Sequence, residues 1–318
     1  MNPLNLAGVF APIPTPFDEQ DRVDTTRLRA AINRWMKTPL TGLVVLGSNG
    51  EAVLLDEFES DQAIVAAREA VPKGRGFIVG TGRESTQAAV RAAKRAAEHG
   101  ADAVLVRTPG FFKPQMTNDA FVRHYTAVAD APPVPVLLYN FTALTGVTLQ
   151  PAAVAKLATH PNIIGMKEYG GDAGQINDLV SATPDDFRIL AGSAGTFYAS
   201  LCVGAIGGIL ALACVVPDAC MRLFELTRAG KHKEALALQR QLVPLSKLLG
   251  QAYGVPGLKA AMSLIGYDVG VPRPPLTPVP EAAVKALRDA IAQLDRALSP
   301  EAVSGPRYNE RMMTMVDR

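Results

Sequence analysis

Lys167 ends the apolar run Ile163-Ile164-Gly165-Met166, a place where a lysine can do chemistry. An amine whose stem leaves an apolar strand is poorly hydrated. Desolvation disfavours the ammonium ion, lowers the pKa and supplies the neutral nucleophile that carbonyl attack requires. The same residue can instead snorkel to solvent or pair with Glu168, as strand-end lysines commonly do. Tyr139 closes a second apolar run, Val136-Leu137-Leu138. Its phenol either passes protons between substrate and water or marks the edge of the core. The segment Gly47-Ser48-Asn49-Gly50-Glu51 offers a hydroxyl, an amide and backbone N–H donors that suit a carboxylate. Such clusters also simply turn the chain, and Glu51 can accept from a backbone N–H at a helix start.

Other chemistries lack their parts. His99, His124, His160 and His232 are scattered, and His124 has a hydroxyl neighbour in Tyr125. None ends an apolar run, so neither a metal site nor a histidine-based hydrolase finds its residues. The glycines of 192–195 and 204–208 would suit a phosphate, but no lysine or arginine accompanies them, and tight packing explains them as well.

What must position these groups is a rhythm of short apolar runs, polar loops and alanine-rich stretches with helical spacing. The pattern predicts strands over 9–14, 42–46, 76–80, 103–107, 135–139, 163–167, 188–191 and 205–210. Helices are predicted over 26–37, 58–70, 85–99, 119–130, 151–159 and 174–182, with Thr117 or Asn118 opening the fourth and Pro151 the fifth. Strands alternating with helices imply parallel pairing, and continuously apolar strands imply cover on both faces. Eight such units predict an α/β fold of the (β/α)₈ TIM-barrel type. A doubly wound sheet is the competitor, but no G-x-G-x-x-G opens the first unit. In a barrel the reactive groups sit at the C-terminal ends of strands, where Lys167, Tyr139 and the 47–51 loop all fall. Further helices at 218–229, 231–249, 256–265 and 281–298 follow without strands between them. The division is therefore a barrel over 1–230, a C-terminal helical extension over 231–298 and a flexible tail over 299–318.

Composition sets the limits. The 318 residues are 48% hydrophobic and 19% charged with net charge +2, enough apolar material for a large core and no basic footprint for nucleic acid. Cys202, Cys214 and Cys220 form no paired spacing and read as small buried hydrophobes of a reducing compartment. The start, Met1-Asn2-Pro3-Leu4-Asn5, lacks the charged and apolar regions of a secretion signal, so a cytoplasmic location is expected. The apolar run 201–216 falls short of the roughly 20 residues that span a bilayer, and no membrane partner is expected.

Taken together and in order, several segments resemble the dihydrodipicolinate synthase/N-acetylneuraminate lyase family over residues 6–298. They are Gly8 through Phe17 with Pro12-Ile13-Pro14-Thr15-Pro16, Gly47-Ser48-Asn49-Gly50-Glu51, Tyr139-Asn140 with Thr145-Gly146, and Gly165-Met166-Lys167-Glu168 with Gly171-Asp172. The resemblance implies that Lys167 forms an imine with a 2-oxo acid of pyruvate type and that Tyr139 transfers protons. It implies that Ser48 and Asn49 hold the carboxylate, with Gly208 and Ile209 as further substrate contacts. It also implies no cofactor or metal, an aldehyde as second partner, and a homotetramer built as a dimer of dimers.

Within the family, Leu144 stands where dihydrodipicolinate synthases carry an arginine, and Ala194 and Gly195 stand where sialic acid lyases carry acidic groups. The strings Ser48-Asn49-Gly50-Glu51, Glu84-Ser85-Thr86-Gln87-Ala88, 190–195 and Gly257-Leu258-Lys259 are most similar to 4-hydroxy-2-oxoglutarate aldolases, which release pyruvate and glyoxylate. A dihydrodipicolinate synthase, a 2-keto-3-deoxy sugar acid aldolase and a non-catalytic 2-oxo acid binding barrel are the alternatives. Two departures bear on the proton relay. Phe111 replaces a tyrosine that the family often supplies from a neighbouring subunit. Tyr169 replaces a small residue, and either narrows the pocket or supplies the missing phenol.

Overall fold

Eight short stretches, apolar along both faces, form the strands, since a parallel strand covered on both sides has no need of polar alternation. The computed structural model describes residues 4–298, so the expected tail and the first three residues lie outside the described residues. The strands are β1 Gly8–Pro12, β2 Gly42–Val45, β3 Gly76–Gly80, β4 Ala103–Arg107, β5 Val136–Asn140, β6 Ile163–Glu168, β7 Arg188–Ala191 and β8 Gly207–Ile209. Each pairs in parallel with the next, and β8 returns to β1, so the sheet closes into a barrel. Closure excludes the doubly wound alternative.

Two registers matter for function. Arg107 pairs with Tyr139 across β4 and β5, and Tyr139 pairs with Lys167 across β5 and β6. The three residues therefore sit on one level at the C-terminal end of the barrel. Their shared direction is set by the lumen cluster, in which Tyr139 packs with Phe10, Leu137, Leu190 and Ile209. A larger apolar layer fills the space between the barrel and its helices.

The helices are α1 Thr25–Trp35, α2 Glu57–Ala70, α3 Thr86–Glu98, α4 Asn118–Ala129, α5 Thr142–Thr145, α6 Pro151–Leu157, α7 Ala173–Ala182, α8 Phe197–Cys202, α9 Pro217–Arg228, α10 His232–Lys247, α11 Gly254–Leu264 and α12 Glu281–Leu298. Their starts follow local chemistry. Asp56 and Glu59 form a reciprocal capping box on α2. Thr117 caps α4 through the Ala120 N–H, and Pro151 is a first helical residue of α6. Differences from expectation are at ends and in short pieces. The first strand stops at Pro12 because Pro14 has no N–H to offer the ladder. The eighth shrinks to three residues. The short helices α5 and α8 were not anticipated, being too brief to show a period.

Cys214 and Cys220 are buried as expected, but Cys202, at the end of α8, is exposed, and all three are free. The apolar run 201–216 is divided among α8, β8 and the turn that follows. No helix among the described residues is long and apolar enough to cross a membrane.

Candidate active site

Lys167 is only 4% exposed. Burial drives its pKa down to about 7, because the amine has left water and no carboxylate compensates it. Glu168, the neighbour that might have paired with it, projects the other way. There it accepts from Asn140 Nδ2 at 2.7 Å and from the Gly170 N–H at 2.6 Å, tying the ends of β5 and β6 together. Lys167 Nζ instead donates to Tyr139 Oη at 3.3 Å and lies 4.3 Å from the centre of that ring.

Tyr139 is buried, and burial raises its phenol well above the ordinary range against the opposing pull of Ser48. It is therefore a neutral hydroxyl at physiological pH, able to donate and accept together but a poor base by itself. Ser48 Oγ stands 3.2 Å from Tyr139 Oη, with either atom able to donate. The result is an unbroken path from Lys167 through Tyr139 to Ser48.

The 47–51 segment is the tight turn that its composition suggested. Leu46 enters it at φ +55° and Glu51 leaves it at φ +56°, left-handed conformations that cost a branched or long side chain energy. The turn is closed by Gly50 N–H to Gly47 O and Glu51 N–H to Ser48 O, so the first amides, Ser48 and Asn49, stand outside that ladder. The Asn49 side chain turns back toward β1. It donates to Pro12 O at 3.2 Å, while its backbone N–H and that of Ser48 remain outside the turn's own hydrogen bonds.

Strain in the turn is held by anchors from elsewhere in the chain. Thr15 Oγ1 donates to Gly50 O at 2.7 Å. Glu51 does not cap a helix. Its Oε1 lies 2.7 Å from Lys259 Nζ on α11, both side chains 1% exposed, and its Oε2 accepts from the Arg273 N–H at 2.8 Å. Arg273 continues to Glu59 on α2 at 2.6 Å. The helical extension thus grips the site loop from outside the barrel. Lys259→Met should destabilise the protein by about 3–5 kcal/mol by leaving a buried carboxylate unpaired. Thermal melting should show a fall on the order of 10 °C. Adding Glu51→Gln should recover much of it, and a single variant that melts like wild type would remove the anchor from consideration.

The mouth opens as a cleft of about 760 Å³ whose wall includes Ser48, Tyr139, Phe111 and Leu144. Lys167 is one hydrogen bond behind that wall, reached past the Tyr139 hydroxyl. Phe111 and Leu144 are rim residues, 76% and 65% exposed. Tyr169 stacks on Phe141 with ring centres 3.8 Å apart, and its hydroxyl faces Gly250 of the extension, so it packs the wall. Gly208 and Ile209, like Lys167, are not among the residues that line the cleft. A Cβ on Gly208 would meet Phe197 and Leu210, and Ile209 is fully buried in the lumen cluster that also holds Tyr139. His124 is buried, its pKa lowered to about 4 by burial, and bonds Thr86 Oγ1 at 2.9 Å rather than Tyr125, whose hydroxyl goes to Val106 O.

Sequence reasoning overlooked the charged residues of this wall, Arg83, Glu84, Arg107 and Lys113. The signal was present: Arg107 ends a strand, and Arg83 and Glu84 follow one closely. Among the described residues no group of three or more His, Cys, Asp and Glu side chains is arranged to hold a metal ion.

Comparison with known proteins agrees with this geometry. The model of the dihydrodipicolinate synthetase family matches residues 5–294. A 4-hydroxy-tetrahydrodipicolinate synthase from Exiguobacterium is 35% identical, spanning 91% of this chain and 98% of the relative. A probable mitochondrial 4-hydroxy-2-oxoglutarate aldolase from Emericella nidulans is 36% identical, spanning 92% of this chain and 97% of the relative. Among solved structures, a prophage protein of the dihydrodipicolinic acid synthase family from E. coli K12, in complex with pyruvate, superposes with a TM-score of 0.86. It is 27% identical and covers 91% of this chain and 99% of its own.

Proposed function

The chain belongs to the dihydrodipicolinate synthetase family and is a carbon–carbon lyase of that family, and from that premise we propose that it cleaves 4-hydroxy-2-oxoglutarate to pyruvate and glyoxylate through a Schiff base on Lys167. The observation that carries the reading is the buried Lys167 amine, with a pKa near 7, bonded to the Tyr139 hydroxyl. Nζ adds to the C2 carbonyl, and the carbinolamine loses water, its proton supplied through Tyr139 and Ser48. The iminium so formed accepts the electron pair of the C3–C4 bond as the C4 hydroxyl gives up its proton and the aldehyde leaves. The enamine is protonated at C3, and water then releases pyruvate and the free amine. Ser48 and the first amides of its turn hold the carboxylate next to C2.

The three free cysteines suit a reducing compartment such as the cytoplasm. Exposed Val53, Phe111, Phe112 and Leu144 around the mouth suit burial between subunits, in keeping with a homotetramer.

A panel of 2-oxo acids assayed for pyruvate release tests the substrate. Release from 4-hydroxy-2-oxoglutarate at a kcat/KM well above the rest supports the reading. The Exiguobacterium relative favours a second one, a synthase condensing pyruvate with an amino aldehyde. Leu144 and its apolar rim speak against it, and product formation from that pair decides. Borohydride reduction with pyruvate, followed by peptide mapping, separates both from a silent barrel: only an enzyme of this kind leaves the adduct on Lys167.

A further inference from the structure

The wall of the cleft facing Tyr139 is cationic. Arg83, Arg107 and Lys113 line it against a single carboxylate, Glu84. That carboxylate is fully occupied. One oxygen takes Arg107 Nη1 at 2.7 Å, and the other accepts from the Gly110 and Phe111 N–H groups, each at 2.9 Å. Arg107 runs its stem across Gly82, where any Cβ would come within 2.4 Å of its Cγ, so its position is fixed.

Arg83 is different. It is half-buried, and its side chain bonds only its neighbour's carbonyl, Gly82 O, at 3.1 Å. The nearby acids are engaged elsewhere, Glu57 and Asp61 by Arg95 and Glu84 by Arg107. Among the described residues it has no ion-pair partner. Burial and the like charge of Arg107 both disfavour its charged form, an expense that an arriving anion would offset.

The cleft is also far larger than a three-carbon acid requires. With C2 at Lys167 on β6 and the carboxylate at the turn after β2, the remainder of a longer acid extends toward β3 and β4, where these cations stand. We propose that Arg83, with Lys113 at the rim, binds a second anionic group at the far end of the substrate, so that the preferred 2-oxo acids are dicarboxylates of about five carbons. This rests on the Schiff-base reading above and assigns the residues that select its substrate.

The test measures half-saturation of the borohydride-trapped Lys167 adduct by 2-oxoglutarate, by 2-oxopentanoate and by pyruvate. In the wild type, 2-oxoglutarate should half-saturate at a concentration about 10- to 100-fold lower than 2-oxopentanoate, its counterpart without the second carboxylate, the scale of a charged hydrogen bond. Arg83→Met should erase most of that advantage, Arg83→Lys should retain part of it, and added salt should shrink it. Pyruvate has no far group and is the internal reference. No wild-type preference, or an Arg83→Met loss shared equally by pyruvate, overturns the proposal and leaves the Schiff base standing. Failure of every 2-oxo acid to trap, pyruvate included, overturns the Schiff base and this proposal with it.

Discussion

Lys167→Ala is expected to lower kcat/KM by about 10⁴- to 10⁶-fold and to abolish the borohydride-trapped adduct, since it removes the nucleophile on which each later step depends. Lys167→Arg should do no better, because a guanidinium stays protonated and cannot attack a carbonyl. Both variants should keep the fold, as the lysine makes one hydrogen bond and no ion pair. The same residue sets the pH response. With the amine titrating near 7, kcat/KM should rise about tenfold per pH unit below that point and level off above it. The sign follows from the free enzyme: protonation removes the lone pair, so acid suppresses the rate. A flat profile from pH 5 to 9, or full activity in Lys167→Ala, would place the chemistry elsewhere.

Tyr139→Phe should cost about 10²- to 10⁴-fold in kcat. The substitution keeps the ring, and with it the packing beside Phe141 at 5.9 Å and the face presented to Lys167. Only the hydroxyl goes, and with it both links of the path to Ser48. Because the phenol is held above its ordinary range, in the proposed mechanism it would pass a proton on as it receives one, never acting as a standing phenolate. The loss should therefore fall on turnover, with the pyruvate adduct on Lys167 still forming, though more slowly. Ser48→Ala, which breaks the path at its outer end, should cost less. A Tyr139→Phe enzyme within threefold of wild-type kcat would show that water carries the protons.

The barrel, and the grouping of Lys167, Tyr139 and Ser48 at its mouth, were legible because both are written locally. Continuous apolar runs of strand length reveal a covered parallel sheet, and a lysine or tyrosine ending such a run falls at the mouth. What was not legible depends on distant partners. Asn49 turns to Pro12 because β1 and β2 are neighbours, which no spacing in the sequence records. Glu51 finds Lys259 only once the chain has gone round the barrel and back through α11. The cations of the cleft were passed over because charge was weighed over the whole chain, where +2 looks bland, while three of those charges converge on one wall. Gly208 and Ile209 rest on the resemblance alone: β8 is three residues long, and Ile209 lies buried in the lumen cluster with Tyr139 rather than on the cleft wall.

The anchoring of Glu51 makes the two sides of the mouth unequal in evolvability. Around residues 47–51 the side chains of Ser48, Asn49 and Glu51 and the Gly50 carbonyl are all committed, so a change there should strike the fold and the proposed pyruvate-half recognition together. Across from it, Phe111, Phe112 and Leu144 stand exposed on short loops of the single subunit, so replacing them disturbs little of its own interior and acts instead on the cleft rim and the proposed subunit contact. A mutant library aimed at new acceptor aldehydes belongs on 111–113 and 141–145, with the opposite lip left as the invariant tool that all of its members share.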